Sequence, residues 1–554
     1  LTRQSGLALL AVAAAFFAPF AWVPPTNFGG FDEWLILSLV ARGIMDVPYA
    51  NRPLELLFSL PLRYAPPSLW SYWVLHAIYL AGAAWLSYHL VHRLLPERPL
   101  LALLTGVFTA AWAPADYQRL NVVQPYAGYV FFALLAVTLL VEAWLRDRPV
   151  LLWLGALLAF LDIRAYEASG ALLLAAPLLL PATRQKPRRA RAFTLAWLGV
   201  VLLALLLAAL QLLLPGRQPA YQEQLLGGVD PNPRRVAGRL LEQFGYHLFP
   251  VVATPLAELR VAAVPLALAL FAVVFALFAR AAGPREASAP EDRALLLRTG
   301  GFGLALAGLG YSVLVLSSGL HQAARTQFLS GPGIALFLAS AILLSASLLP
   351  PRGRLVALGL LGGWIVAVGA ARTLALQRFW DQVSVHADQV RLLRSLTRAA
   401  PAFVPNTLVV LIDHSSAFET TLAFRHALLY LYGGDVNGYA WGKWDFGYPA
   451  RLVPGGVVSE PLAALRGPWR VPSSFHRFDE IVVVHQPKAG APRVLDAWPS
   501  AWLPPLPEGA RYSPRERIRS EPPAPPQRRI LEAALLPRAR ATWHTRSLAD
   551  GGRP

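Results

Sequence analysis

Residues 184–214 read RQKPRRARAFTLAWLGVVLLALLLAALQLLL: five basic side chains within eight positions, then 22 residues, 193–214, without a charge. As a helix rising about 1.5 Å per residue, that run covers the roughly 30 Å hydrocarbon core of a bilayer. The basic cluster ahead of it marks the side on which membrane helices keep their Arg and Lys. The pattern recurs along the chain. Apolar runs lie at about 6–25, 69–91, 99–114, 122–145, 149–162, 167–181, 193–214, 261–280, 299–318, 327–349 and 355–376. Those at 149–162 and 167–181 are short and suit tilted or broken helices. The first run follows Arg3 as a signal peptide would, but its apolar stretch is too long for a typical signal core, so it reads as a retained span.

Composition agrees. Of 554 residues, 55% are hydrophobic and 15% charged, with mean hydropathy +0.45; a soluble chain carries about 25% charged residues. An ordinary cytosolic enzyme is therefore a poor fit. The absence of Cys removes disulfides, thiolate nucleophiles, Cys-bound zinc and iron–sulfur clusters. A net charge of +18 raises nucleic acid as a partner, but the distribution of that charge answers it. With the N-terminus inside, the cytoplasmic segments 1–5, 92–99, 146–149, 182–192, 280–298 and 350–354 hold 16 Arg/Lys in 52 residues. The opposite loops 26–68, 114–121, 162–167, 215–260 and 319–326 hold 11 in 111. This alternation is what topology demands, so no nucleic acid is expected. Eleven spans put the tail after 376 outside. The near-replacement of Lys by Arg suggests a bacterial chain, and hence the bacterial plasma membrane.

The expected fold is a polytopic α-helical membrane protein of about eleven transmembrane helices, over 1–376, with a C-terminal extracytoplasmic mixed α/β domain over 377–554. In that tail Leu408–Asp413 and Glu480–His485 read as short buried strands, and Ala417–Tyr432 has helical spacing. Pro504-Pro505 and Pro522–Pro526 read as extended coil, packed on a surface or loosely ordered. No phosphate-binding Gly loop, HExxH or GxSxG motif occurs in the sequence.

The residues with chemical potential sit in the external loops. The first, 26–68, carries two amphipathic stretches, Asp32–Met45 and Pro53–Tyr64, expected to lie at the membrane interface with Trp34 and Tyr64 at headgroup depth. Asp32 and Glu33, behind Gly29-Gly30, suit a general base; equally, Asp32 suits a helix N-cap and Glu33 a first-turn charge. In Asn51-Arg52-Pro53-Leu54-Glu55, Arg52 can orient a carboxylate or bind phosphate, or simply be solvated. Asp116 is the acid of the second loop. Asp162, Arg164 and Glu167 flank the third, where charges at a membrane boundary must face water, pair with one another or line a cavity. His321 and Arg325, four apart in the fifth loop, point the same way on one helical turn and suit a lipid-linked phosphate; the plainer reading is an Arg snorkelling to headgroups. No metal cluster is evident: Asp32 with Asp116 has oxygens for a divalent cation, and nothing requires one.

This organisation resembles the integral-membrane glycosyltransferases of the GT-C superfamily. The likeness lies in a first span, a long external loop opening with Asp32-Glu33, further loop acids, many spans and a C-terminal extracytoplasmic domain. The Asn51-Arg52-Pro53-Leu54 stretch is also similar to a recurring piece of bacterial members' first loop. The chain departs from the oligosaccharyltransferase pattern, because Trp441-Gly-Lys-Trp444-Asp445 is not a Trp-Trp-Asp signature. The resemblance implies transfer of a sugar from a polyprenyl-phosphate donor to a glycan, lipid or protein acceptor, with inversion. In that scheme Asp32 is the base with Glu33 as its substitute, and Asp116 orients acceptor or base. Arg325 and His321 hold the donor phosphate with Arg52 as a further cation, Asp162, Arg164 and Glu167 line the cavity, and no cofactor is needed. Two other classes remain: a lipid or solute transporter working through Asp162 and Glu167, and a non-catalytic membrane subunit.

Overall fold

The computed structural model describes residues 3–17, 32–47, 52–112, 122–123, 126–183, 187–213, 228–254, 263–282, 293–318, 327–383, 385–433, 436–445, 448–460, 473–520 and 526–533. The chain is mostly helical. Before the tail run α1 (Arg3–Phe17), α2 (Glu33–Ala41), α3 (Leu69–Leu94), α4 (Pro99–Ala111), α5 (Tyr126–Arg146), α6 (Pro149–Ala165) and α7 (Gly170–Ala175). They are followed by α8 (Ala190–Leu213), α9 (Pro233–Ala253), α10 (Ala263–Ala282), α11 (Arg293–Val315), α12 (Gly331–Ala346) and α13 (Pro351–Val383). Each of the eleven apolar runs carries helix. Among the described residues, seven helices are long and apolar enough to cross a membrane: α3, α5, α8, α10, α11, α12 with its preceding 3-10 turn, and α13. α1, α4, α6 and the segment 167–183 are shorter. That last segment is a broken helix, with 3-10 turns on both sides of α7.

Two large apolar cores hold most of the bundle. One joins α1, α3, α4, α10, α11, α12 and α13; the other joins α3, α5, α6, α7 and α8. Close approach of backbones sets the crossing of α11 and α12. A Cβ on Gly333 would stand 2.6 Å from both Gly303 O and Ala307 N, so α11 and α12 meet where only hydrogen fits.

The stretch 215–260 is not a plain external loop. It contains α9, whose Pro233 stands at the first turn behind an Asn232 cap accepting from the Arg234 and Arg235 amides. Its inner stripe, Gln243 and His247, is buried, and Val236, Leu240, Phe244, Leu248 and Val251 pack on the bundle core.

Nor does the boundary at 376/377 divide the structure, since α13 runs through it to Val383. Beyond follow α14 (His386–Ala399), β1 (Ala402–Phe403), β2 (Thr407–Asp413), α15 (Thr421–Tyr432), β3 (Val436–Ala440) and β4 (Ala450–Val453). Then come β5 (Gly456–Ser459), β6 (Ser474–Arg477), β7 (Ile481–Gln486), β8 (Arg493–Val494) and β9 (Ile518–Arg519). The main sheet has the order β3-β2-β7-β8, with β2 parallel to β3 and β7, and β8 antiparallel to β7. Both expected strands and the expected helix are present.

Strand alternation divides the packing between two faces. Val409, Leu411, Val482 and Val484 face the helical layer of α14 and α15. Leu408, Val410, Ile412, Ile481 and Val483 face Phe478 and Leu503, so the coil around Pro504 covers a sheet face.

The first loop departs from expectation. α2 is not an interfacial helix: residues 33–40 are all buried, and the helix packs on α15 as a third member of that layer. Trp34 is not at headgroup depth. It is 0% exposed, and its Nε1 donates to Gln389 Oε1 at 2.8 Å. Ser38 Oγ donates to Leu35 O at 2.9 Å and so accepts from His426 Nδ1 at 2.6 Å; that tautomer leaves His426 Nε2 to accept from the Tyr448 hydroxyl at 2.8 Å. The second stretch is a 3-10 helix at Leu57–Arg63, followed by an exposed Tyr64.

Candidate functional site

The loop from Arg52 to Phe58 is tied down by two tyrosines. Tyr129 of α5 donates to Glu55 O at 2.8 Å and Tyr79 of α3 to Phe58 O at 2.7 Å. Within it, Glu55 N donates to Arg52 O at 3.3 Å, a tight turn that sets both side chains on one side. At the end of α6 the chain breaks: Tyr166 is extended (φ −153°, ψ 102°) before a 3-10 turn begins at Glu167. This break carries Glu167 to the first loop.

There Arg52 Nε and Nη2 each donate to Glu167 at 2.7 Å, a two-pronged ion pair. Arg52 Nη1 stands 3.6 Å from Glu55 Oε1, and the guanidinium lies 4.3 Å above the Tyr166 ring. Tyr166 stacks on Tyr129 at 4.8 Å, and Phe328 packs at 5.6 Å from Tyr166. The charged cluster thus rests on an aromatic floor.

Burial pushes the Glu55 carboxyl up to about 7; the charges of Glu167 and Asp32 push the same way, while Arg52 pulls against them. A carboxyl titrating near neutrality is suited to general acid–base work.

Of the sequence candidates, the structure brings Asp32, Arg52, Arg164 and Glu167 into one electrostatic neighbourhood. Asp32 stands at the N-cap position of α2, as one reading expects, but its side chain makes no cap bond there. Glu33 is buried in the first turn of α2. Arg52 has its fork on Glu167, so those donors are already engaged. Arg164 acts on Glu167 electrostatically, but the two-pronged partner of Glu167 is Arg52, not its neighbour on α6. Asp162 does not pair with Arg164: it is 0% exposed, and among the described residues neither carboxyl oxygen has a hydrogen-bond partner. The Ser169 hydroxyl approaches it but donates to Tyr166 O at 3.0 Å. Asp116, His321 and Arg325 lie outside the described residues.

Glu55 stands in the Asn51–Glu55 stretch with no role that the sequence assigns it. The available signal was its three-residue spacing from Arg52, which places the two on one side of a turn.

Next to the aromatic floor is an apolar cavity between α3, α5, α7, α11 and α12; Val130, Leu134, Leu172 and Leu329 belong both to its wall and to the aromatic cluster. A charged cluster beside an apolar cavity can hold a ligand with a polar head and a hydrocarbon chain. Among the described residues no group of three His, Asp or Glu is placed to hold a metal ion. No family model matches the chain, and neither does any curated protein.

Proposed function

We propose that this chain is an integral-membrane glycosyltransferase of GT-C organisation, moving a sugar with inversion from a polyprenyl-phosphate donor to an acceptor at the extracytoplasmic face. One observation carries the proposal: Asp32, Arg52 and Glu55 of the first loop converge with Arg164 and Glu167 beside an apolar cavity. In this reading the short helices α1, α4, α6 and 167–183 complete eleven spans, with the N-terminus cytoplasmic and the C-terminal domain outside.

The chemistry follows from the residue types. The acceptor oxygen attacks the anomeric carbon while the bond from that carbon to the phosphate oxygen breaks. Asp32 takes the hydroxyl proton, and the electron pair leaves with the polyprenyl phosphate. Glu55, ionised, adds negative charge beside Asp32 and strengthens its pull on that proton. Arg52 holds Glu55 and Glu167 in place. The donor phosphate falls to His321 and Arg325, and Asp116 to orienting the acceptor. The acceptor is a glycan, lipid or protein hydroxyl, and the reaction as drawn needs no metal.

The test is release of free polyprenyl phosphate from a panel of polyprenyl-phosphate sugars by protein held in nanodiscs with candidate acceptors. Asp32→Asn is expected to abolish release while leaving the melting temperature unchanged; full release by that variant removes Asp32 from the role. Transport is the second reading, and it is favoured by one feature, the buried carboxyl of Asp162, whose oxygens have no hydrogen-bond partner among the described residues. Asp162→Asn separates the two, because glycosyl transfer survives it and proton-coupled transport does not.

A further inference from the structure

α9 belongs to a stretch that hydropathy places outside the membrane, yet its contacts fix its depth inside the bundle. At its start, the Asp230 amide donates to Leu316 O at 2.7 Å, and Arg239 Nη1 donates to Val315 O at 3.3 Å and to Ser317 O. These carbonyls end α11, at the rim nearest the C-terminal domain. Two turns further, His247 bonds the Tyr311 hydroxyl, and Trp112 Nε1 donates to His247 O at 3.0 Å. Further still, Trp364 Nε1 donates to Val251 O at 2.7 Å. Trp364 lies eleven residues into the apolar span Gly353–Arg378, about 16 Å along its axis and so near the middle of a roughly 30 Å core. α9 therefore descends antiparallel to α11 and ends well inside the apolar layer. Val264, at the start of α10, lines one groove with Trp364 and Ala367.

The two faces of the helix differ as this depth requires. Its polar side chains Gln243 and His247 turn inward, where Gln327 Nε2 lies 3.5 Å from Gln243 Oε1. Outward stand Leu241 at 71% exposure, Phe249 at 66% and Val252 at 80%, with Tyr246 beside them. From Gly245 to Ala253 the outward side carries no charge; Glu242, Arg234 and Arg235 stand higher, toward the rim. An apolar outer face over a polar inner one is the reverse of a helix lying in water.

We infer that α9 is a half-inserted helix whose Leu241–Phe249–Val252 stripe packs against acyl chains of the leaflet nearest the C-terminal domain. The occupant is lipid because the stripe deepens toward the bilayer centre and loses its charges as it does so. This holds whatever reaction the chain performs.

The chain has no Cys, so single-cysteine spin labels report without background. Leu241→Cys, Phe249→Cys and Val252→Cys are labelled in reconstituted full-length protein, with Ser500→Cys as a water-exposed control. Collision with oxygen, which concentrates in lipid, is compared with collision with a water-soluble nickel chelate. The oxygen-to-nickel ratio is expected to rise from 241 to 249 to 252 and to exceed that at 500 several-fold. A ratio at 249 and 252 equal to the control places α9 in water and overturns the inference. Exclusion of both reagents there means that protein, such as a second copy, covers the stripe, and overturns it equally.

Discussion

Glu55 is the residue at which sequence, structure and proposed chemistry meet. Its carboxyl is buried among Arg52, Glu167 and Asp32 and is raised from an ordinary 4.5 to about 7. A carboxyl raised by folding stabilises the folded state fully below its unfolded value, and that contribution is lost as pH rises through the folded one. The loss between pH 4.5 and 7 is about 3 kcal/mol. Glu55→Gln is therefore expected to flatten the decline of thermal stability across that window, followed by unfolding in detergent at several pH values. The same variant is expected to flatten the rise of donor release with pH, since the charge added beside Asp32 is gone. A variant with the wild-type slope in both measurements removes Glu55 from the titration. Arg52 and Asp32 were legible because unusual residues stood out beside glycine and proline. Glu55 was not, because its environment is made by Glu167, over a hundred positions away.

At the scale of elements, the docking of α2 is the contact that joins the first loop to the tail. Trp34 fills a fully buried site there, so Trp34→Ala is expected to cost about 3–5 kcal/mol. Limited proteolysis should then cut the C-terminal domain faster; unchanged cleavage would mean that α2 does not hold it. His426 adds a pH signature. Burial, reinforced by Arg425 and Arg42, holds its imidazole well below the usual range. The unfolded chain then binds the extra proton first, so stability falls as pH drops below the ordinary imidazole value of about 6.5. His426→Gln should lessen that acid sensitivity relative to wild type. In the bundle, Gly333→Ala drives a methyl into the backbone of α11 and is expected to lower stability by about 1–3 kcal/mol, read as a lower melting temperature. The strands of the tail were legible because short β-branched runs have few other uses. The role of α2 was misjudged, although Trp34–Ala41 has Ser38 as its one polar side chain. A helix apolar on every side is buried, whereas an interfacial one keeps a polar face. The depth of α9 was hidden for the opposite reason, since its inward polar residues lower its hydropathy below that of a span.

At the scale of the whole molecule, parity constrains the topology. α2 precedes α3 and packs into the domain that follows α13, so both lie on one side of the membrane. The chain between them must then cross an even number of times. Among the described residues, the helices after the first loop that are long and apolar enough to cross are seven, which is odd. With all seven crossing, an odd number of α4, α6 and 167–183 must cross as well, and all three crossing gives the ten that the proposed eleven spans require. The links between α3 and α4 and between α5 and α6 are short enough to reverse the chain directly. Length is no obstacle, because a short helix shielded by neighbours crosses where loops at its ends are buried in protein. The Cys-free chain again supplies the test. Tyr64→Cys and Ser500→Cys report the loop and the tail, and Glu97→Cys and Arg148→Cys report the two short links. A membrane-impermeant maleimide applied to intact cells is expected to label the first pair at once and the second pair only after permeabilisation. Labelling of Glu97→Cys or Arg148→Cys in intact cells would show that α4 or α6 does not cross in the proposed sense. Opposite behaviour of Tyr64→Cys and Ser500→Cys would go further, because α2 could not then reach α15, and the site built on the first loop would lose the scaffold that holds it.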